Sequence, residues 1–161
     1  MKRYSIPWFL LAAARVFLGV IFVYAAYTKL RESFLLFAMA IDAYKLVPEA
    51  VAVGIARVLP WGELTLGVAL ISGFFQRLVT TCATLLLGVF FCVMVHAYRA
   101  GQEISCGCFG LGEQISARTL ARDGAFLVLS LALAVVAYWS ARRSRVATAA
   151  VATEPALAEK P

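Results

Sequence analysis

Cys106-Gly107-Cys108 is the stretch of this sequence with the most chemistry in it. Two thiols separated by one residue have three uses. They can close a disulfide in a very short ring, and a strained, exposed disulfide exchanges readily with other thiols. As thiolates they can hold a soft metal such as Cu(I) or Zn. They can also form a static clip that holds a loop. A closed zinc site wants a full tetrahedral ligand set. Only Cys92 and His96 could complete one here, so no metal site is assigned.

Cys92, His96 and Arg99 stand at i, i+4 and i+7 before the pair, so a helix would put them on one face. An imidazole or guanidinium near a thiol favours the thiolate and raises its reactivity. Each also has an ordinary reading. Cys92 and Cys82 behave as small apolar residues, His96 sits at an interface, and Arg99 extends its charge towards water.

Four further ionisable residues interrupt apolar runs: Arg15, Glu63, Arg122 and Asp123. Charges in hydrocarbon are costly and usually face the bundle interior or a polar cavity. Glu63 and Gly67 share a helix face, and Gly67 would let a neighbouring helix come close. Arg15, Gly19, Phe22, Ala26 and Lys29 make a similar face. Glu63 is therefore expected to meet Arg15 or Arg122. Such a pair can simply fix packing. It can also border a polar pocket for a quinone head group, a proton relay or another small ligand.

These residues have to be positioned by membrane helices. Of 161 residues, 63% are apolar and 15% charged, whereas soluble domains average about 45–50% and about 25%. The mean hydropathy is +0.86. The composition implies an integral membrane protein and excludes disordered, coiled-coil, collagen-like and small disulfide-scaffold classes. The net charge of +6 then points to cationic loops held at the cytoplasmic face, and no nucleic-acid partner is expected.

A transmembrane helix needs about 20 mostly apolar residues. Four runs qualify, at about 8–28, 55–75, 77–98 and 120–141, and no strand-like alternation competes with them. The expected fold is all-α, a polytopic four-transmembrane-helix bundle occupying residues 1–145, followed by a mobile cytoplasmic tail over 146–161. Val47-Pro48-Glu49 reads as a helix start. A helix from Pro48 to Phe75 would be about 42 Å long at ~1.5 Å per residue, against a hydrocarbon core of about 30 Å. Pro48–Leu59 is therefore expected to be an outer piece, kinked into the span at Pro60.

With both termini inside, the inner side holds Lys2, Arg3, Arg77, Arg142, Arg143, Arg145 and Lys160, and the outer loops hold Lys29, Arg31, Lys45 and Arg99. Seven against four, or seven against five when Arg118 at the start of the fourth helix is added to the outside, places both termini in the cytoplasm and the cysteine pair in the periplasm, where disulfides persist. The first apolar run is longer than the core of a cleaved signal peptide, so it is expected to stay as a helix.

From Arg15 to Asp123 these features resemble the methylamine-utilisation protein MauE family, within the broader DoxX-like membrane proteins. The resemblance is carried by Arg15, Gly19 and Lys29, by Tyr44, Leu46 and Pro48, and by Pro60, Glu63, Gly67, Gly73 and Arg77. Arg99, Gly101, the Cys106-Gly107-Cys108-Phe109-Gly110 block, Ile115-Ser116 and Arg122-Asp123 complete it. The resemblance implies a four-helix protein of the bacterial inner membrane. It also implies a link to maturation of the disulfide-rich small subunit of periplasmic methylamine dehydrogenase, and association with thioredoxin-like proteins. By analogy of layout alone, the chain is similar to vitamin K epoxide reductase-like proteins, which set a cysteine pair over a quinone-binding bundle.

The expectation is a thiol–disulfide maturation factor, a possible oxidoreductase, whose Cys106 and Cys108 exchange electrons with a thioredoxin-like or disulfide-rich periplasmic partner, with quinone as the candidate carrier. The alternatives are an accessory subunit of a larger membrane complex, with Cys106–Cys108 as a static clip, and a soft-metal handling protein.

Overall fold

A computed structural model describes residues 5–101 and 115–158, with side chains described over 9–101, 115–140 and at 142. Five helices follow one another: α1 (Ser5–Arg31), α2 (Phe34–Ala43), α3 (Glu49–Ser72), α4 (Gln76–Arg99) and α5 (Ala117–Ala158). The described residues contain no strand. Four stretches are long and apolar enough to cross a membrane: Phe9–Arg31, Glu49–Ser72, Gln76–Arg99 and Ala117–Ser140. The all-α, four-span architecture is thus the one the composition demands.

The four long helices form a ring in which α1 packs most extensively on α3 and α4 on α5, closed by α3 against α4 and α1 against α5. Leu18, Phe22, Leu70, Val79, Ala83 and Leu133 supply the buried centre, one or two from each helix. An edge-to-face contact between Phe17 and Phe126, with centroids 6.3 Å apart, ties α1 to α5.

Glycine sets the distance between α1 and α3. A Cβ added at Gly67 would lie 2.8 Å from the carbonyl oxygen of Gly19, and one at Gly19 would lie 2.9 Å from that of Gly67. The two backbones touch because neither residue carries a side chain, as the reading of Gly67 as a point of close helix approach expects.

At its start α3 follows the Val47-Pro48-Glu49 signal, with Pro48 as the extended residue before the helix. It ends at Ser72 because Gly73 turns left-handed, at φ 84°, where only glycine fits without cost. The helix is therefore about 36 Å long at ~1.5 Å per residue, shorter than a run to Phe75. Pro60 lies inside it and is buried, and the helix continues through that position.

The short α2 is an element the sequence reading leaves as loop. Its ten residues, FLLFAMAIDA, are apolar but far too few to span. They need cover on one side, and α3 provides it: Phe37 and Ala38 pack on Ala56, beside Val53 and Leu59. Alanines at 52 and 56, both buried, let the short helix settle close to α3. Lys45, at φ 52°, turns the chain after α2, and its ammonium pairs with Asp42.

Beyond Ser140 the backbone of α5 stays helical to Ala158, through most of the stretch expected to be mobile. Alanine-rich sequence gives that extension its helix propensity. Its side chains after residue 142 lie outside the described residues.

Candidate functional site

Glu63 is buried in the bundle, and its partner is Lys29. The Lys29 Nζ donates to both carboxylate oxygens, at 2.8 Å to Oε1 and 2.9 Å to Oε2. The two side chains are only 2% and 5% exposed. The expectation of a basic partner inside the bundle holds, but its identity is neither Arg15 nor Arg122.

The reason is geometric. Side chains on a helix lean towards its N-terminus. α1 and α3 run antiparallel, so Lys29 leans back into the bundle while Glu63 leans up to meet it. Arg15 leans the same way as Lys29, which from its position carries it away from Glu63 to the far end of α3, where its guanidinium lies against Gly73. That end of α3 carries the unpaired carbonyls and the negative pole of the helix. The Arg15 Nε makes no hydrogen bond among the described residues. Lys29 also leaves the set of loop charges to which the sequence assigns it.

Aromatic rings flank the pair. Lys29 Nζ is 5.6 Å from the centre of Phe37 on α2 and 5.8 Å from that of Phe90 on α4. Both distances are within the range of cation–π attraction. Four elements therefore converge on one ammonium.

Arg122 and Asp123 form a pair of their own, Nε to Oδ1 at 3.0 Å, with Asp123 the more buried of the two. Asp123 and Glu63 face one small cavity of about 40 Å³, walled by Phe22, Leu86, Phe90 and Phe126 among others. The wall is mostly apolar, with the two acidic residues as its polar part, and the volume is enough for water. The structure thus brings Glu63 and Asp123 to one space and keeps Arg15 away from it.

A second cavity, about 260 Å³, opens between α2, α3 and α4. Its walls include Phe37, Tyr44, Leu59, Phe90, Val93 and Met94. Leu86 and Phe90 belong to both cavities. The sequence reading does not find this space, because it requires α2, and α2 shows only as an apolar run of ten residues.

Cys92, His96 and Arg99 are all exposed on α4, on the side turned away from the bundle. Cys82 and Cys92 carry free thiols. His96 and Arg99 stand in the last turn of α4, from which the chain leaves through Gly101 at φ 64°. Cys106 and Cys108 lie outside the described residues, so the assignment of the pair as a site rests on sequence. Among the described residues, no cluster of His, Cys, Asp and Glu could hold a metal ion.

A family model for methylamine utilisation protein MauE matches residues 7–140. The methylamine utilization protein MauE of Paracoccus denitrificans is 30% identical over 137 residues, covering 83% of this chain and 73% of that protein. Its counterpart in Paracoccus versutus is 31% identical, over 77% of this chain and 68% of that protein. That of Methylophilus methylotrophus is 33% identical, over 75% and 62%. No solved structure matches significantly. The matched stretch takes in the Lys29–Glu63 pair, both cavities and the CysGlyCys block, and the chain belongs to the MauE family of multi-pass membrane proteins of methylamine utilisation.

Proposed function

We propose that this chain is a thiol–disulfide maturation factor of the bacterial inner membrane. Cys106 and Cys108 are its working residues, and its partner is a thioredoxin-like or disulfide-rich periplasmic protein needed for methylamine utilisation. Both termini are cytoplasmic and the CysGlyCys loop is periplasmic.

The observation that carries this reading is the place of the pair. Cys106-Gly107-Cys108 follows directly on a helix long enough to cross the membrane, within the stretch matched to the family. The other two cysteines sit within that helix. With Lys29 buried, the outer side retains Arg31, Lys45 and Arg99, with Arg118 at the start of α5, against seven on the inner side, and the charge balance supports this orientation.

The chemistry is exchange. A thiolate of the partner attacks one sulfur of the Cys106–Cys108 disulfide, the other sulfur leaves as a thiolate, and a mixed disulfide forms. The partner's second thiolate then attacks the mixed disulfide. That leaves a disulfide in the partner and both cysteines reduced. Resetting the pair removes two electrons and two protons.

Trapping tests the proposal. Either Cys106→Ser or Cys108→Ser should leave one sulfur able to hold a partner, giving a covalent adduct that a reductant releases. A membrane-impermeant thiol reagent should label the reduced pair in intact spheroplasts. If both single substitutions support normal growth on methylamine, the pair has no exchange role, and an accessory subunit with a static clip takes its place. If labelling requires permeabilised cells, the orientation is reversed.

A further inference from the structure

We infer that Arg15, Gln76 and Arg77, at the α3–α4 end of the bundle, hold the phosphate of an anionic membrane phospholipid. The inference is independent of the exchange reading and of the orientation of the chain. Arg15 is half-buried and reaches the turn between α3 and α4. Its Nη1 and Nη2 atoms lie 3.2 and 3.3 Å from the place that a Cβ on Gly73 would take. Gln76 opens α4 on the far side of the same turn, and Arg77 follows it. Arg15 Nε and Gln76 Nε2 are shut off from solvent and make no hydrogen bond among the described residues. Arg77 forms no ion pair among them either. An arginine that merely extends along a helix to water keeps its head solvated, and Arg15 does not. Buried donors without an acceptor are costly, so this turn calls for an acceptor.

The chain has no carboxylate to offer there. No Asp or Glu occurs over residues 1–31, 64–102 or 124–153, and those stretches include this half of every span. The other half differs. There Lys29 meets Glu63, Lys45 meets Asp42 and Arg122 meets Asp123, so cations are neutralised within the protein. At the α3–α4 turn the neutralising anion has to come from outside.

The level in the membrane identifies the kind of anion. Tyr138 stands beside Thr81, one turn along α4 from Arg77, and both Tyr138 and Trp139 are exposed. Exposed Tyr and Trp mark the membrane–water interface, where lipid phosphates lie. A guanidinium matches phosphate oxygens with two parallel hydrogen bonds, and basic pockets between membrane helices are seats for anionic head groups. Phe74 and Phe75, exposed on the turn itself, offer apolar surface to the acyl chains below the phosphate. Two arginines without a carboxylate favour a lipid of net negative charge over one whose phosphate is balanced by choline.

The test uses the full-length protein in dodecyl maltoside micelles, titrated with phosphatidylglycerol and followed by native mass spectrometry. Saturable retention of phosphatidylglycerol is expected, with phosphatidylcholine retained more weakly. Arg15→Gln should weaken phosphatidylglycerol binding by at least about tenfold, as expected for loss of a charge-assisted contact. Gln76→Leu and Arg77→Gln should each weaken it by about threefold or more. Arg31→Gln removes the same charge from an exposed position at the opposite end and should bind as the unaltered protein does. Gln76→Leu lies on another helix and leaves the charge intact, so it keeps the test decisive if Arg15→Gln fails to fold. Equal retention by all of these proteins overturns the inference. So does equal retention of phosphatidylcholine, which would mark unselective solvation by lipid. Displacement of phosphatidylglycerol by millimolar inorganic phosphate would overturn the lipid assignment and give the site to free phosphate.

Discussion

The α1–α3 and α4–α5 seams solve the same problem by different means. Between α1 and α3, backbone meets backbone at Gly19 and Gly67, and a buried ion pair, Lys29–Glu63, joins the helices nearer α2. Between α4 and α5 the glycines meet side chains instead: a Cβ at Gly88 would lie 3.9 Å from Leu127, and one at Gly124 would lie 3.3 Å from the Phe91 ring. Polar contact there is made by neutral hydroxyls, with Ser130 donating to Thr84 at 3.0 Å and Thr81 beside Tyr138 at 3.3 Å. Lipid gives helices no hydrophobic reason to associate, so both seams depend on close packing and polar contacts. The difference is that the first seam concentrates its energy in a few mutually dependent atoms, while the second spreads weaker contacts along its length.

That comparison can be broken at several points. The largest effect is expected from Lys29→Met, which strands a buried carboxylate and should cost about 3–5 kcal/mol, read from unfolding in mixed micelles. Glu63→Leu should cost as much for the converse reason, and Glu63→Gln less, because its amide still hydrogen-bonds. The double variant Lys29→Met, Glu63→Leu should recover most of the loss, since an apolar pair of similar volume is often as stable as a buried ion pair. If it recovers nothing, the pair contributes more than packing.

A smaller effect is expected from Gly67→Ala. Its new methyl group would meet the carbonyl of Gly19, and overpacking of that kind costs about 1–3 kcal/mol. The matching change on the other seam, Gly88→Ala, has room and should be neutral or stabilise by up to about 1 kcal/mol through helix propensity. Equal outcomes for the two would erase the distinction between the seams. The smallest loss is expected from Ser130→Ala, about 0.6 kcal/mol, the average for a hydrogen bond between membrane helices. A loss several times larger would show that the hydroxyl contacts of α4 and α5 act as a unit.

Much of the fold was legible because hydrocarbon imposes simple demands. Four apolar runs had to be four helices, since a lipid-exposed backbone must satisfy its own hydrogen bonds. Gly67 could be read as a point of close approach because a small residue on an interior face permits one, while its partner, Gly19, is known from the structure. Two things were hidden. α2 is too short to announce itself by span length, and its helix exists through burial of Phe37 on α3. Lys29 looked like a loop charge at the end of an apolar run. Which of three basic residues met Glu63 depended on the lean of side chains in an antiparallel pair, a property of three dimensions that spacing along the chain does not contain. Cys106 and Cys108 lie outside the described residues, and their assignment rests on their spacing in the sequence.

The buried pair also bears on how the chain enters the membrane. Of the four spans, α3 is the least apolar, and it carries both Glu63 and Pro60. A lone carboxylate at such depth works against transfer from the translocon into lipid. Synthesis delivers α1 first, so Lys29 is already waiting in the bilayer when Glu63 arrives, and the two charges can enter hydrocarbon as a neutral couple. The order of helices along the gene is then part of the assembly route: a permuted chain that presented α3 ahead of α1 would have to insert its poorest span unaided.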